Sequence, residues 1–264
     1  SSHRDIAGRC FDAGKHVLVE KPLELTSARG ADLVAAARAA GRKLGVMLQH
    51  RFRPGSIRLK AALEGGELGR IEAAFLHVPW WWPQAYYDEP GRGTLARDGG
   101  GVLMTQAIHS LDLFRSLVGI SHVVAAQART TALHAMEGED HVSALLETAD
   151  GAPATLVATT AAYPGHPERI VSVGSRGQGA LVGGRQTLSL LGGGAQTVEV
   201  EGATGSGAGI MDFPHDAHRA LIADFLDAIV EGRDPLVTGE EALASQRAID
   251  AILAEAGWSR GADR

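Results

Sequence analysis

The fold is decided by the stretch His16-Val17-Leu18-Val19-Glu20-Lys21-Pro22. A run of apolar β-formers that ends at Glu-Lys-Pro is typical of a buried parallel strand whose carboxyl end meets a cleft, which is where open α/β sheets bind their ligands. Proline stops the strand at that point and restricts the backbone of the lysine before it. The stretch therefore predicts a strand that carries Lys21 to a ligand site. On these residues alone, a surface lysine at a strand end is an equal alternative.

The residues on either side complete a strand–helix–strand unit. A helix is predicted over 5–14, and a second over 27–40, where Thr26 or Ser27 can cap the first turn. A second apolar strand follows over 44–48. Two strands joined by a helix are the unit of a parallel sheet with right-handed crossovers.

A different pattern begins after residue 53. A helix over 55–65 precedes a series of short predicted strands with turn signals between them, which favours antiparallel hairpins. These strands are predicted over 70–79, 121–129, 139–148, 153–161, 168–174, 179–183, 186–191 and 196–200, and two helices follow over 215–231 and 239–256. The sequence thus predicts an α/β unit over 1–53 and a larger α+β domain over 54–264. That domain would have a mostly antiparallel open sheet, and its last helix could pack back on the first unit.

Composition and charge exclude several classes of partner. The chain has 264 residues, 45% of them hydrophobic, and a formal charge of −6 without a basic stripe, so we expect no nucleic-acid or anionic-membrane partner. No apolar run is long enough to span a membrane. The single cysteine, Cys10, cannot form an intrachain disulfide and favours a reducing, cytoplasmic location. The polar amino end, which begins at Ser1, shows no signal peptide.

A second informative segment is the triple glycine 99–101 and the helix predicted from it to about Val118. At 100° per residue, Thr105, His109 and Asp112 would lie within roughly 60° of one another. The opposite face would be apolar, formed by Leu103, Ala107, Leu111, Phe114 and Val118. Short polar groups suit a cleft better than a solvated face, and a glycine turn permits close backbone approach to a ligand. The alternative is a structural histidine.

Three further features leave functional and structural interpretations open. An aromatic cluster at 80–82 and 86–87 could stack on a ring substrate or simply cover the sheet, and Arg92 and Arg97 could bind an anion or remain solvated. His215 and His218 open the penultimate helix and could reach the cleft. The eleven histidines are dispersed and form no H-x-x-x-H with a carboxylate ligand, so no metal site is expected. The glycine-rich stretch over 202–209 is interpreted as a flexible loop.

Taken together, these segments resemble a known family in order and spacing. The sequence is similar to the Gfo/Idh/MocA oxidoreductases, which include glucose–fructose oxidoreductase and inositol dehydrogenase. The matching segments are Gly14-Lys15-His16-Val17-Leu18-Val19-Glu20-Lys21-Pro22, Arg51-Phe52-x-Pro54, the triple glycine with His109 eight residues after Gly101, Asp224-Phe225-Leu226-Asp227-Ala228-Ile229, and Gly232-Arg233-x-Pro235.

The resemblance implies an NAD- or NADP-dependent dehydrogenase. Such an enzyme would transfer a hydride between the cofactor and a secondary alcohol of a sugar, a polyol or a related hydroxylated ring compound. It would assemble as a homodimer or tetramer through the second domain's sheet. The catalytic residues implied are Lys21 and His109; the substrate-binding residues are Thr105, Asp112, Tyr87, Arg92 and His218; and the cofactor-binding residues are Glu20, Lys21, Pro22 and Arg51. Thr105 stands where many members have an aspartate, which puts the usual lysine–aspartate–histidine arrangement in doubt.

One motif of the family is absent. The sequence contains no G-x-G-x-x-G, the turn that places a pyrophosphate on a helix N-terminus. We therefore expect the first unit to be the carboxyl-terminal half of a Rossmann domain, and the chain alone to bind NAD(P) poorly. Two alternatives remain open at this point: a non-catalytic member that acts in binding or assembly, and a metal-assisted lyase or hydrolase.

Overall fold

Two sheets with helices packed against them organise the chain in the computed structural model, which describes residues 3–193, 195–198 and 214–258. The helices are α1 (His3–Asp12), α2 (Ser27–Ala39), α3 (Pro54–Glu64), α4 (Gln84–Tyr87), α5 (Leu95–Asp98), α6 (Val102–Thr105), α7 (Ile108–Val118), α8 (Asp216–Glu231) and α9 (Gly239–Glu255), with a 3₁₀ turn over Gln49–Phe52. The strands are β1 (Val17–Val19), β2 (Leu44–Val46), β3 (Ile71–Pro79), β4 (His122–Arg129), β5 (His141–Glu147), β6 (Pro153–Thr159), β7 (Arg169–Gly174), β8 (Gly177–Val182), β9 (Arg185–Leu190) and β10 (Ala195–Val198). The loop predicted over 202–209 lies outside the described residues.

The first unit is the predicted strand–helix–strand. β1 pairs in parallel with β2, with Val17 opposite Leu44 and Val19 opposite Val46. The helix between them, α2, begins after Thr26, whose side chain accepts a hydrogen bond from the Arg29 backbone N–H. This N-cap satisfies one of the donors that a helix start leaves free. Pro22 follows β1 through a cis peptide bond.

The second unit is built on an eight-stranded sheet in the order β10-β9-β8-β7-β3-β6-β5-β4. Its neighbours run antiparallel except for β3 and β6, which are parallel, so the prediction of a mostly antiparallel open sheet is confirmed. One face is buried beneath helices: α7 packs on β3 and β7, and α3 packs on β8 and β9. The alternation of each strand leaves large apolar side chains such as Phe75 and Leu145 exposed on the other face.

Helix α9 links the two units. It packs against α2 and β2, and the Val46 backbone N–H donates to the Val237 carbonyl just before α9, at 3.3 Å. The Gln246 side-chain amide donates to the Glu24 carbonyl at 2.7 Å. These contacts fix the carboxyl ends of β1 and β2 relative to the large sheet, which positions the site described below. Among the described residues, no helix combines the length and the apolar character that crossing a membrane requires.

The prediction of one continuous helix from the triple glycine to Val118 is wrong. The chain instead forms α6 and α7, which are separated at Gln106 and Ala107, where the Ala107 N–H bonds to the Val102 carbonyl at 2.8 Å. The predicted apolar face is nevertheless buried, at Leu103, Ala107, Leu111, Phe114 and Val118. Burial of these side chains fixes the path of the chain, whereas the break changes the direction of Thr105 relative to His109.

Candidate active site

Lys21 lies at the carboxyl end of β1 and reaches across to the segment that joins the two short helices. Its Nζ donates to the Thr105 carbonyl at 2.5 Å. Burial lowers the pKa of the Lys21 amine, and the nearby carboxylates of Glu20 and Asp98 oppose that shift only in part. The strand thus delivers the lysine to an enclosed place where its proton is held less firmly than in water.

His109 stands in the first turn of α7, beside Lys21. Its Nδ1 is buried and has no hydrogen-bond partner. Burial lowers the pKa of His109 well below its usual value, and the positive charges of Lys21, Arg53 and His218 lower it further. The imidazole is therefore neutral near pH 7 and has a nitrogen available for a proton or a hydrogen bond. An unpartnered buried polar atom is uncommon in folded proteins and calls for a functional explanation.

A second histidine, His50, was missed by the sequence reasoning. Its ring stacks on that of His109, with centroids 4.9 Å apart and planes 29° from parallel. The Arg53 guanidinium lies 2.6 Å from His50 Nε2 and also pairs with Glu168 at 2.8 Å. The signal was available in part, because His50 immediately precedes the Arg51-Phe52-x-Pro54 motif. Its contact with His109, 59 positions along the chain, could not be inferred from spacing.

Arg51 and Asp112 form a buried ion pair rather than parts of the cleft. Arg51 Nε and Nη2 bond to the two oxygens of Asp112 at 2.7 and 2.6 Å, and Nη1 bonds to Glu241 at 3.0 Å. Ser245 donates to Asp112 Oδ1 at 2.6 Å, and the Asp112 side chain is 0% exposed. The structure therefore contradicts the predicted substrate contact of Asp112. It also gives no support to a cofactor contact by Arg51, since the pair and Glu241 join the 3₁₀ turn, α7 and α9.

Thr105 contributes its backbone rather than its side chain to Lys21. The Thr105 hydroxyl donates to the Gly101 carbonyl at 2.6 Å and is also in contact with Gln106 Oε1. A hydroxyl that is already donating within its own turn has only acceptor capacity left for a substrate. The role of Thr105 in orienting substrate accordingly stays a prediction, restricted to accepting a hydrogen bond.

The glycine turn approaches protein backbone, not an open ligand site. A Cβ added at Gly101 would lie 1.9 Å from the Glu139 carbonyl oxygen. The buried Glu139 carboxylate accepts from the N–H groups of Gly101 and Leu103, at 2.9 and 3.1 Å. The expectation that these glycines make room for a ligand is therefore corrected: Gly101 makes room for Glu139, which caps α6 and so fixes the start of the segment that bears His109.

The remaining predicted substrate residues have protein partners of their own. Tyr87 is buried and donates to Thr160 Oγ1 at 2.9 Å, and burial raises the pKa of its phenol. Arg92 pairs with Glu89 at 2.5 Å, and its guanidinium lies 4.1 Å from the centroid of the Tyr86 ring, with whose hydroxyl it is in contact. A role for these two residues in substrate binding stays a prediction.

The other predicted contacts lie at the edges of the site. Glu20 is exposed next to Lys21, Pro22 is half-buried after it, and His218 is half-buried near the start of α8, close enough for its charge to act on both His50 and His109. Within the aromatic cluster, Trp80 is buried while Trp81 meets the exposed Tyr163 edge to face at 5.4 Å. Both interpretations of that cluster therefore remain open. In the described part of the chain, no three His, Cys, Asp or Glu side chains come together in a way that could hold a metal ion.

Comparison with known proteins identifies the family. Residues 57–179 match the model of the GFO/IDH/MocA C-terminal domain, and residues 1–48 match that of the oxidoreductase family with an NAD-binding Rossmann fold. The inositol 2-dehydrogenase 2 of Paenarthrobacter aurescens is 30% identical over 252 residues, which cover 91% of this chain and 70% of that enzyme. The chain belongs to the Gfo/Idh/MocA oxidoreductase family.

Two further relatives agree with this assignment. The inositol 2-dehydrogenase of Rhizobium meliloti is 26% identical over 265 residues, or 96% of this chain and 74% of that enzyme. Among solved structures, the WlbA dehydrogenase from Bordetella pertussis, in complex with NADH and UDP-GlcNAcA, superposes with a TM-score of 0.80 and 29% identity. The match covers 97% of this chain and 74% of that one. The predicted family, and with it a nicotinamide-dependent oxidoreductase fold, is confirmed.

The residues present fit one end of a nicotinamide cofactor. A buried amine with a lowered pKa and a buried imidazole nitrogen without a partner lie at the carboxyl end of β1, where a parallel sheet places its ligand. The sequence offers no G-x-G-x-x-G for the pyrophosphate end. The fit is therefore to the reacting ring and not to the phosphates.

Proposed function

We propose that this site transfers a hydride between NAD or NADP and a secondary alcohol of a sugar, a polyol or a related hydroxylated ring compound. The observation that carries the proposal is the neutral His109 beside Lys21, with a buried nitrogen that no protein group uses. Oxidation of an alcohol releases a hydride and a proton, and the proton needs an uncharged base within reach. A cytoplasmic location is part of the proposal and rests on the lone Cys10.

Glu20, Lys21 and Pro22 would hold the nicotinamide end of the cofactor, because they end β1 at the ligand edge of its sheet. The cofactor supplies the hydride acceptor or donor. Everything else in the chemistry is proton handling and orientation, which this chain's own side chains perform.

His109 accepts the proton of the substrate hydroxyl during oxidation and returns it during reduction. Its lowered pKa keeps it deprotonated at neutral pH, which is the state a base requires. Lys21, anchored on the Thr105 carbonyl, directs a positive charge at the oxygen that becomes negative as the proton leaves. Thr105 can accept a hydrogen bond from a neighbouring substrate hydroxyl.

Printed descriptions of the relatives support a polyhydroxylated substrate. Two of them are inositol 2-dehydrogenases, and an aldose-aldose oxidoreductase from Caulobacter crescentus, complexed with glycerol, superposes with a TM-score of 0.81 at 27% identity. These compounds share adjacent secondary hydroxyl groups, the substrate class that we propose for this site.

The test is an assay of cofactor reduction with a panel of polyols, sugars and sugar acids. Cofactor is supplied at saturating concentration to offset the missing phosphate turn, and its binding is measured separately. We expect turnover with at least one compound, and its loss in His109→Ala but not in His122→Ala, an exposed histidine on β4 that serves as the matched control. A chain that binds cofactor and turns over no member of the panel would contradict the proposal and favour the non-catalytic alternative.

A homodimer or tetramer is the assembly we propose, with the open face of the large sheet as its interface. Phe75, Thr155 and Leu145 stand opposite one another on β3, β6 and β5, and Phe75 is 42% and Leu145 52% exposed. An apolar strip across a regular sheet suits a two-fold symmetric contact.

Light scattering on Leu145→Asp tests this assembly. We expect the wild-type chain to have the mass of a dimer or tetramer, Leu145→Asp to be monomeric, and Ile57→Asp, an exposed apolar position on α3, to keep the wild-type mass. A wild-type monomer would contradict the interface.

A further inference from the structure

A chain of buried polar groups stands behind His109 on the side away from Lys21. It runs from the His50 ring, stacked on His109, through Arg53 to Glu168. His50 is 3% exposed, so its ring is fixed by these neighbours and not by solvent. The inference below rests on the proposed role of His109 as the base.

Hydrogen-bond chemistry determines the protonation of His50. A guanidinium can only donate, so Arg53 at 2.6 Å requires a lone pair on His50 Nε2. The proton of the neutral ring must then sit on Nδ1, which is buried and has no partner. A protonated His50 would direct an N–H at a guanidinium and lose this bond.

We propose that His50 is a positioning residue for His109, held by the Arg53–Glu168 pair as a neutral ring with its proton on Nδ1. In this state His50 gives the base a flat, uncharged surface to stack on and cannot itself take up the proton. The reaction's proton therefore stays on one imidazole, which faces the substrate, instead of being shared by two.

The charges around the pair agree with this role. The groups that face the two rings are Lys21, Arg53 and His218, and burial together with these cations lowers the pKa of both histidines well below the usual value. Arg53 is the cation that both rings share and that bonds to one of them. Glu168 holds Arg53 in place at 2.8 Å.

A small cavity excludes a direct role for His50 on substrate. Its volume is about 10 Å³, and it is lined by His50, Arg53, Ser110 and Glu168, among others. A space of this size admits at most one water molecule. His50 therefore acts on the reaction through His109.

The test is nitrogen-15 NMR of the full chain labelled in histidine, without cofactor, so that its outcome does not depend on the proposed activity. We expect one buried histidine, identified by its loss in His50→Phe, to show a protonated Nδ1 and an unprotonated Nε2 from about pH 5.5 to 8, the range in which an ordinary histidine titrates. A proton on Nε2, or titration near the ordinary pKa, would overturn the proposal.

Variants of Arg53 separate positioning from simple structural support. Arg53→Met should release the His50 tautomer, and it should move the His109 titration and the acid limb of the rate profile to higher pH, because a cation near both rings is lost. Arg53→Lys, which still donates, should restore the wild-type tautomer. An unchanged tautomer in a folded Arg53→Met would contradict the proposal, and if that variant does not fold, the wild-type spectrum decides alone.

Discussion

His109 and Asp112 stand three residues apart on α7, yet the protein treats them in opposite ways. The Asp112 carboxylate is fully buried with every oxygen engaged by Arg51 or Ser245, whereas the buried Nδ1 of His109 has no partner. The same contrast separates Arg51, committed to two carboxylates, from its neighbour His50, whose Nδ1 is also unpartnered. Polar groups with a full set of bonds hold the two units together, and those left incomplete mark the site where chemistry takes place.

Breaking the satisfied pair should have the largest effect on stability. Asp112→Ala leaves Arg51 buried without its main partner, which costs about 3–5 kcal/mol of unfolding free energy for buried pairs. Urea denaturation measures the loss. The exposed Arg70–Glu72 pair provides the control, since Glu72→Ala should cost about 0–1 kcal/mol. Equal losses in the two variants would mean that the buried pair is not a structural link.

Filling the glycine turn should cost less. In Gly101→Ala the new Cβ meets the Glu139 carbonyl, so the backbone of the two segments must separate, at about 1–3 kcal/mol. Gly192→Ala, with nothing within 4 Å, is the matched control and should change stability by no more than about 0.5 kcal/mol. A fully stable Gly101→Ala would show that the turn is looser than described.

The pH dependence of stability should report the incomplete pair. His50 and His109 have lowered pKa values in the folded chain, so below about pH 6.5 the unfolded chain binds protons that the folded chain does not. The free energy of unfolding should therefore fall as the pH decreases below that value, by at most about 1.4 kcal/mol per pH unit for each histidine, and level off above it.

Urea unfolding at about pH 5.5 and 7.5 measures this difference, which spans the ordinary histidine pKa. His109→Gln should reduce the difference, and His122→Gln, at an exposed position, should leave it unchanged. A His109→Gln chain with the wild-type pH dependence would show that His109 is not held neutral.

The smallest effect is expected at Lys21. Its amine should titrate below the ordinary lysine value because burial lowers its pKa, and Glu20→Gln should lower that pKa further by removing a carboxylate that supports the charged form. NMR of methyl-labelled lysines detects both shifts. A pKa for Lys21 at or above that of an exposed lysine would remove it from the enclosed site.

The sequence predicted most elements of the fold because their signals are local. The apolar run before Lys21, the cap at Thr26 and the alternation of the later strands each depend on adjacent residues, and the structure places β1, α2 and β3 within a few positions of their predictions. The site was harder to predict, because its contacts join distant residues. Helical spacing grouped Asp112 with His109, but the ion pair with Arg51 and the break at Gln106 depend on what packs against α7, which spacing along one helix does not contain.

The most direct test is the rate of polyol-dependent cofactor reduction per folded molecule, compared between His109→Gln and Asp112→Asn. The account predicts that His109→Gln loses about 10²–10⁴-fold, the usual contribution of a general base, while the folded fraction of Asp112→Asn keeps the wild-type rate. A folded Asp112→Asn that loses its activity, or a His109→Gln that retains it, would contradict the division between the two residues.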